Sequence, residues 1–584
     1  MGVIHFLKKY KVAFALTVLM AIFHFSLPLS KGQKIQPIKG DAQAYYAYLP
    51  ALFIYQDFDF KFVKGINEKY YGQNDIKSFL IETEKGKVNK TFPGAAIYYL
   101  PGFLVAHGIA SLAGNADVYS AIYQWMFDLG YWVYLFLALL YMHKVLALLK
   151  FKELNISVAL TLTALATNIF FYSVFNQSVT HIFNLFTINL VVYHLLLYLE
   201  RKKVRHLLIV IPLLALLGIT RPTNILIFLF LPIFLDIRSL FTQIIEDLKR
   251  LKNLVFGLIS GGIILSIPFI LWKLQTGNWV VYSYGDEGFN FGSPEILNFL
   301  FSYTKGWFFW TPFALIAIIW GGILLFKSSK KKFTWMMIFL VISIYIFSSW
   351  WCWYYGAGHS QRVMIDYSLL LAFLTAIIFR NVKMNRVKSI GLGSLVILLI
   401  LLNVTQAFQI YKGIYPHGSP TASQYWDNFL SLNKKAKIYP KEHWALEIEK
   451  SIDLETDVVK GNFYEVEGDK IIHVAPGEEY SGNVLLPQLS FNKNHRIVIG
   501  FEARSRTPIE ATRAVLDFGD TADAHVFSVN EFVVTDEWVN IEFKYEPFSK
   551  FDSTPILYFW NGGTEEKVEI KNIKLTVYNT GGYM

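Results

Sequence analysis

The chain has 584 residues, of which 54% are hydrophobic and only 17% charged, whereas an ordinary soluble domain has about 25% charged residues. This composition excludes a soluble enzyme and a disordered scaffold. The charge is divided unevenly, because residues 1–411 carry a net charge of +18 and residues 412–584 a net charge of −8. The sequence therefore predicts two parts with different surroundings, a membrane part followed by an acidic, water-exposed part.

The net charge of +10 does not indicate a nucleic-acid partner, because the basic residues form short clusters between long apolar runs. Such clusters are typical of charges that orient membrane helices. The single cysteine, Cys352, excludes an intramolecular disulfide and a cysteine-based metal site. We predict no cofactor, and nothing in the sequence supports a divalent metal.

About 20 apolar residues are needed to cross ~30 Å of hydrocarbon, and eleven segments reach or approach that length. They are residues 12–30, 120–143, 154–174, 179–199, 206–220, 223–237, 253–272, 307–326, 333–350, 364–379 and 389–410. The first follows three lysines but has no convincing small-residue cleavage site, so we expect a retained membrane helix.

The distribution of Lys and Arg predicts the topology. If the further apolar run Ala95–Ala113 does not span, one face of the membrane receives 22 positive charges and the opposite short connections only four. Positive charge accumulates on the cytoplasmic side. We therefore expect a multi-pass protein of the cytoplasmic (inner or plasma) membrane with a cytoplasmic N-terminus, juxtamembrane helices over 93–113, and an extracytoplasmic C-terminal domain.

The same pattern divides the chain into domains. Residues 1–411 form the predicted membrane domain, with a first external loop over 31–92, and residues 412–451 form a linker. From residue 452 to 584, segments such as Arg496–Phe501 and Trp538–Tyr545 alternate apolar and polar residues between turns. This period of two predicts β-strands. Several short strands at this spacing indicate a β-sandwich of the jelly-roll type.

The first external loop opens with Asp41, followed by Tyr45 and Tyr46 on a tyrosine-rich segment. A carboxylate just outside a membrane helix can act as a general base on a substrate hydroxyl, although a helix-capping role is the alternative. The loop ends in Lys90-Thr-Phe-Pro-Gly94, where Lys90 would stand at the depth of a lipid phosphate. Attraction to ordinary phospholipid is the alternative for Lys90.

The second external loop contains Tyr284-Gly-Asp286-Glu287, flanked by further aromatic residues. Aromatic faces beside carboxylates suit a sugar ring, which has apolar CH faces and hydroxyl edges. A simple aromatic turn is the alternative.

A third block runs from Trp350 to Arg362 and includes Trp353 and His359. An interfacial aromatic belt would explain its tryptophans. It would not explain Arg362 beside glycines at membrane depth, which needs an anion or an acidic partner. Arg221 lies at another predicted external turn. His181 lies at a third, where a satisfied contact between helices is the favoured interpretation.

Together these blocks resemble the glycosyltransferase-C superfamily of polytopic membrane glycosyltransferases, close to its bacterial mannosyltransferase-like members and to protein O-mannosyltransferases and the aminoarabinose transferase. The resemblance rests on Gly40-Asp41, on Lys90 to Gly94, on Leu217-Gly-Ile-Thr-Arg221-Pro-Thr223 and on the block from Trp350 to Arg362. It covers most of residues 1–411. Many relatives have a second acid beside the aspartate, whereas this chain has Ala42.

The resemblance implies a hexosyl- or pentosyltransferase that moves a sugar from a polyprenyl-phosphate donor to an extracytoplasmic glycan, lipid or protein acceptor. It implies Asp41 as the base. We expect the donor phosphate to be bound by Lys90, Arg221 and Arg362. We expect the sugar or acceptor to be bound by Tyr45, Tyr46, Tyr284, Asp286, Glu287, Trp353 and His359.

The alternative is a non-catalytic lipid-glycan transporter or a membrane assembly scaffold. A transporter of the common kind has inverted repeats and ionisable residues inside opposed broken helices. Neither feature is evident in the sequence. No Walker loop or glycine-rich nucleotide fingerprint occurs either.

Overall fold

The computed structural model of the protein comprises two compact units, Met1–Ala436 and Lys437–Met584. In the first unit it describes residues 3–30, 36–70, 79–83, 86–114, 117–249, 254–285, 287–382, 385–415, 420 and 422–432. In the second it describes 447–453, 459–460, 463–466, 469–474, 483–485, 489–491, 495–505, 513–517, 525–528, 537–545, 551–553, 556–560 and 568–579.

The first unit is helical. Its α-helices are α1 (Val3–Lys9), α2 (Lys11–Ser30), α3 (Asp41–Pro50), α4 (Val63–Tyr70), α5 (Gly94–Leu112), α6 (Ala121–Leu148), α7 (Glu153–Leu165), α8 (Ile169–Val174), α9 (His181–Arg201), α10 (Arg205–Thr220), α11 (Ile227–Phe230), α12 (Ile237–Leu248), α13 (Val255–Thr276), α14 (Ile296–Phe301), α15 (Trp307–Trp310), α16 (Pro312–Ile316), α17 (Gly322–Ser328), α18 (Lys330–Ser348), α19 (Leu369–Asn381), α20 (Arg386–Tyr411) and α21 (Ala422–Asp427).

Short elements of other kinds connect these helices. The 3-10 helices are Pro222–Leu226, Leu231–Ile233 and Arg362–Tyr367, the π-helical turns are Ala51–Tyr55 and Ala317–Gly321, and one hairpin is formed by β1 (Leu80–Thr83) and β2 (Gly86–Asn89).

Six of the described helices are long and apolar enough to cross a membrane, namely α5, α6, α9, α13, α18 and α20. The protein is therefore a multi-pass membrane protein. Five of these helices coincide with predicted spans. The other predicted spans fall on the bent pair Pro222–Ile233 and Ile237–Leu248 and on shorter apolar segments, so the number of eleven crossings stays a prediction. These segments are Lys11–Ser26 within α2, Glu153–Leu165, Arg205–Thr220, Pro312–Ser328 and Leu369–Asn381.

The apolar run that we expected to be juxtamembrane forms one continuous helix, α5, of 19 residues. By length and composition α5 qualifies as a span, so helix length gives no support to the juxtamembrane placement, which rested on the charge distribution. Its first residue, Gly94, lies against the end of α10, where an added Cβ would come within 2.5 Å of the Thr220 nitrogen. Glycine is therefore required for this contact.

Several predicted spans are interrupted, which hydropathy did not indicate. The span predicted over 223–237 consists of short turns instead of one helix, and the segments Pro222–Ile233 and Ile237–Leu248 meet at an angle of 108°. A second interruption, at Thr311, precedes Pro312, whose ring fixes φ and lacks an N–H. Within a membrane, irregular backbone is tolerated where protein or a cavity surrounds it.

Close helix packing in the membrane unit uses small residues. Gly257 and Gly261 lie four residues apart on α13 and face Leu208 and Ile211 of α10, and an added Cβ on Gly261 would come within 2.9 Å of Ile211. Small residues at this spacing allow two membrane helices to approach closely. The packing fixes α10, at whose C-terminal end Arg221 lies.

The second unit contains antiparallel sheets. Its strands are β3 (Glu447–Asp453), β4 (Val459–Lys460), β5 (Phe463–Val466), β6 (Asp469–Val474), β7 (Asn483–Leu485), β8 (Leu489–Phe491), β9 (His495–Ser505), β10 (Arg513–Asp517), β11 (His525–Ser528), β12 (Val539–Tyr545), β13 (Phe551–Ser553), β14 (Ile556–Trp560) and β15 (Val568–Asn579).

These strands form a sheet of order β11-β10-β14-β7-β4 and a sheet of order β12-β9-β15-β6-β5, with β3 also paired to β15. Burial alternates along β9, where Ile499, Phe501 and Ala503 are buried. The ring of Phe501 contacts that of Phe559 on β14 at 5.0 Å, so the two sheets share apolar contacts there. The jelly-roll topology stays a prediction.

The topology can be tested with single cysteines in a Cys352→Ser background. We expect a cysteine at Ser328 to be protected from a membrane-impermeant thiol reagent applied outside, because Ser328 lies in a predicted cytoplasmic cluster. A cysteine at the exposed Asn278, in the second external loop, is the matched control and should react. Labelling at Ser328 from outside would contradict the topology.

Candidate functional site

Asp41 is the first residue of α3, and it forms an ion pair rather than a helix cap. The preceding Gly40 has φ +53 and occupies the cap position, where no side-chain capping bond is made. Asp41 Oδ2 lies 3.0 Å from Arg362 Nη2, and the Asp41 side chain is 42% exposed against 18% for Arg362. Asp41 Oδ1 accepts no hydrogen bond from the described residues, so one carboxylate oxygen is held and the other is open.

Arg362 reaches Asp41 because the loop before it adopts conformations that favour glycine. Gly356 and Gly358 have φ of +70 and +140, and an added Cβ on Gly358 would collide with the Tyr172 hydroxyl. This explains the glycines of the sequence motif. Burial lowers the pKa of Arg362, but Asp41, together with Tyr172, Tyr45 and Cys352, more than offsets this effect, so the pKa is raised and the guanidinium stays charged.

Arg221 belongs to the same neighbourhood and ends α10 with extended backbone. Its Nη1 lies 3.1 Å from His181 Nε2. An arginine can only donate, so this nitrogen of His181 must accept and the ring proton must lie on Nδ1. Arg221 therefore fixes one neutral tautomer of His181.

His181 Nδ1 in turn donates to Asp366 Oδ1 at 2.6 Å, and Asn184 donates to Asp366 Oδ2 at 2.9 Å. His181, Asn184 and Asp366 are buried. The chain Asp366–His181–Arg221 thus joins the 3-10 helix Arg362–Tyr367 to α9 and to the break after α10. This confirms that His181 is a satisfied contact between helices, and it adds Asp366, which the sequence analysis missed.

Tyr45 and Tyr284 lie among these charges. Tyr45 is buried and Tyr284 half-buried, and Asp41 and Arg221 act on both phenols. Burial raises the pKa of Tyr45, as does Asp41, while Arg221 opposes the rise. Burial also raises the pKa of Tyr284. Both phenols therefore stay protonated and can donate hydrogen bonds beside Asp41.

Lys90 is neutralised by a residue of the loop over 273–306, which is predicted to be external. Its Nζ donates to Glu287 Oε1 at 2.5 Å, and Ser283 Oγ donates to the Lys90 carbonyl at 2.9 Å. The segment is attached to α3, because Asn89 Nδ2 donates to the Ala44 carbonyl at 2.7 Å. Lys90 and Glu287 are thus brought together at the edge of the site, and the charge of Lys90 is already paired with that of Glu287.

Four other predicted residues have different surroundings. Tyr46 donates to the Val118 carbonyl at 2.7 Å and is buried in the core, so it lies outside the cluster around Asp41. Trp353 is half-buried. His359 is buried between Phe171 and Trp310, and Asp286 lies outside the described residues.

A buried lysine lies next to Arg362 and was also missed by the sequence analysis. Lys305 is 1% exposed, and its ammonium donates to the Gly356 carbonyl. Burial, with Arg362 adding to it, lowers the pKa of Lys305 to about 7. Burial and the Lys305 charge lower the pKa of His359 to about 3, so this ring is neutral.

The arrangement offers one partly exposed carboxylate, two arginines and two protonated phenols. Such a group can accept a proton from a hydroxyl and bind an anion nearby. Among the described residues, no three His, Cys, Asp or Glu side chains are grouped to hold a metal ion.

Comparisons with known proteins found similarity among solved structures. No family model matches the chain, and no curated protein matches it. The cryo-EM structure of arabinosyltransferase EmbB from Mycobacterium smegmatis is similar over 98% of this chain and 65% of that one, with 9% identity and a TM-score of 0.37. This chain therefore spans just under two thirds of that protein. A likeness of this degree establishes neither the fold nor the activity of the chain.

The buried chain through His181 should stabilise the fold. We expect His181→Ala to lower the free energy of unfolding by about 2–4 kcal/mol, because it leaves a buried carboxylate and Arg221 short of partners. The measurement is the thermal unfolding midpoint of the full chain in detergent. His194→Ala on the same helix α9 is the control, since His194 is only part-buried. Equal losses in the two variants would contradict this role.

Proposed function

We propose that the protein is a membrane glycosyltransferase that moves a hexose or pentose from a polyprenyl-phosphate donor to an extracytoplasmic glycan, lipid or protein acceptor, with Asp41 as the general base. The observation that carries the proposal is the Asp41–Arg362 ion pair of 3.0 Å, beside Arg221 and two protonated phenols. A base next to anion-binding cations is what transfer from a phosphate leaving group needs.

In the proposed reaction the acceptor hydroxyl oxygen attacks the anomeric carbon of the donor sugar. Its proton passes to Asp41 Oδ1, the oxygen left open by the ion pair. The bond from the anomeric carbon to the phosphate oxygen breaks, and its electron pair leaves with the polyprenyl phosphate. Arg362 and Arg221 stabilise the charge that develops on this phosphate.

The lipid-linked donor follows from the predicted location of the site. On the extracytoplasmic face no nucleotide sugar is supplied, so the donor must come from the bilayer. The sequence contains no nucleotide-binding fingerprint, and a membrane unit of many helices can hold a polyprenyl chain. Tyr45 and Tyr284 would bind the sugar through their rings and hydroxyls.

The three predicted phosphate-binding cations have different parts in this proposal. Arg362 and Arg221 have guanidinium groups beside Asp41, and Arg362 is not fully satisfied, because its Nε has no partner among the described residues. Lys90 is paired with Glu287. We assign the leaving phosphate to the two arginines, and the Lys90–Glu287 pair to the edge where acceptor or donor hydroxyls would bind.

A lipid-glycan transporter is the second candidate, because helices broken near charged residues also occur in transporters. The two functions differ in product. A transporter moves the lipid-linked sugar across the bilayer unchanged, whereas a transferase cleaves the bond between sugar and phosphate.

Asp41→Asn keeps the size of the side chain but removes the proton acceptor. We expect turnover to fall by roughly two to four orders of magnitude while the protein still folds and inserts. Arg362→Lys should also lower donor use, because an ammonium cannot reproduce the two-pronged contact of a guanidinium with phosphate. The measurement is sugar transfer from a purified polyprenyl-phosphate sugar pool in proteoliposomes.

Asp59→Asn is the matched control, since the Asp59 carboxylate is 43% exposed and pairs with the exposed Lys61. It should transfer sugar at the normal rate. Near-normal transfer by Asp41→Asn would remove Asp41 as the base. Movement of an intact lipid-linked sugar without cleavage, unchanged in Asp41→Asn, would favour the transporter.

A further inference from the structure

A cavity of about 160 Å³ lies between the end of α17, the start of α18, the end of α19 and the turn after α6. Its polar lining includes Ser328, Ser329, Lys332 and Arg380, and the rest of the lining is apolar. All four segments carry or adjoin basic clusters on the face predicted to be cytoplasmic. Sugar transfer as proposed above makes no use of this cavity.

Among the described residues, neither of the two cations of the cavity has an acidic partner. The guanidinium of Arg380 lies over the Phe151 ring at 4.8 Å, and its charge acts on Lys332. The part of the cavity lining that the structure describes contains no Asp or Glu. Asp236, near the same end of α18, is already paired with Lys331 at 2.9 Å. Two like charges facing one cavity repel each other, and this repulsion destabilises the fold. An anion bound between them would replace the repulsion with attraction to both charges.

We propose that this cavity binds a phosphate group, supplied by an anionic phospholipid of the adjoining leaflet or by free phosphate. The volume of about 160 Å³ is below the roughly 300–1,000 Å³ of pockets for drug-sized ligands, so it suits a phosphate rather than a nucleotide. Basic pockets between membrane helices on the cytoplasmic side are suited to lipid headgroups. The Ser329 side chain caps α18 by accepting a hydrogen bond from the backbone N–H of Lys332. This bond fixes the first turn of α18, which forms part of the cavity wall.

The cavity is separate from the site around Asp41. Arg362 precedes α19 and Arg380 lies in its last turn, and 13 helical residues extend about 20 Å. The proposed phosphate site and the proposed transfer site thus lie toward opposite ends of the same helix. The proposed phosphate site is therefore independent of the glycosyltransferase proposal, and each can be wrong without the other.

The test uses the purified full chain in neutral detergent, titrated with phosphatidylglycerol, with phosphatidylcholine or with inorganic phosphate. Native mass spectrometry counts bound lipid, and the thermal unfolding midpoint follows all three. For the wild type we expect saturable stabilisation by phosphatidylglycerol, by inorganic phosphate, or by both. In the double variant Lys332→Gln/Arg380→Gln the apparent affinity should fall at least about tenfold.

Lys327→Gln/Lys330→Gln removes the same charge from the same face, and both of its lysines are exposed and lie outside the cavity lining. It should bind as the wild type does. Lys332→Arg keeps both charges and the Arg380 guanidinium and should keep most of the binding, which separates loss of charge from misfolding. Stabilisation by phosphatidylglycerol alone identifies a lipid headgroup, and stabilisation by inorganic phosphate identifies a free ion. Equal weakening in the two glutamine variants, or no saturable binding to the wild type, would overturn the proposal.

Discussion

The ion pair between Asp41 and Arg362 is the constraint on which the rest of the site depends. It joins the start of α3 to the 3-10 helix Arg362–Tyr367. Four residues after Arg362 the same short helix carries Asp366, which holds His181 and through it Arg221. One turn of irregular helix therefore orients both arginines relative to one carboxylate.

The site depends equally on backbone that a regular helix could not provide. Gly358 has a φ that other residues rarely adopt and leaves no room for a Cβ, and Gly94 allows α5 to touch the last turn of α10 beside Arg221. Each break leaves backbone groups that must find partners away from lipid. The buried hydrogen bonds of Lys305 to the Gly356 carbonyl and of Asn168 to the His359 carbonyl supply two such partners.

The sequence predicted the parts of this protein that depend on local composition. Long apolar runs gave the helices α6, α9, α13, α18 and α20, and the change to a period of two gave the strands of the second unit. Charged residues beside glycine or proline at the ends of apolar runs gave Asp41, Arg221 and Arg362. These signals are local, because each consists of neighbouring residues in the chain, and an ionisable residue near a membrane is costly and therefore conspicuous.

The parts that the sequence did not predict depend on contacts between distant segments. Asp366 lies inside an apolar run and gives no signal until α9 brings His181 against it. The pairing of Lys90 with Glu287 gives no signal either, because the two residues are 197 positions apart along the chain. Hydropathy also cannot report where an apolar segment breaks, because the residues at a break are satisfied by neighbouring helices rather than by their own segment.

The central claim is that the site around Asp41 transfers sugar from a lipid-linked donor. Mass spectrometry of glycolipids and glycoproteins from cells with and without the gene tests it most directly, since it detects changes in any donor and any acceptor at once. The account predicts that loss of the gene removes one sugar from a defined acceptor and leaves its lipid-linked donor to accumulate. An unchanged set of extracytoplasmic glycans and lipid-linked sugars would contradict it.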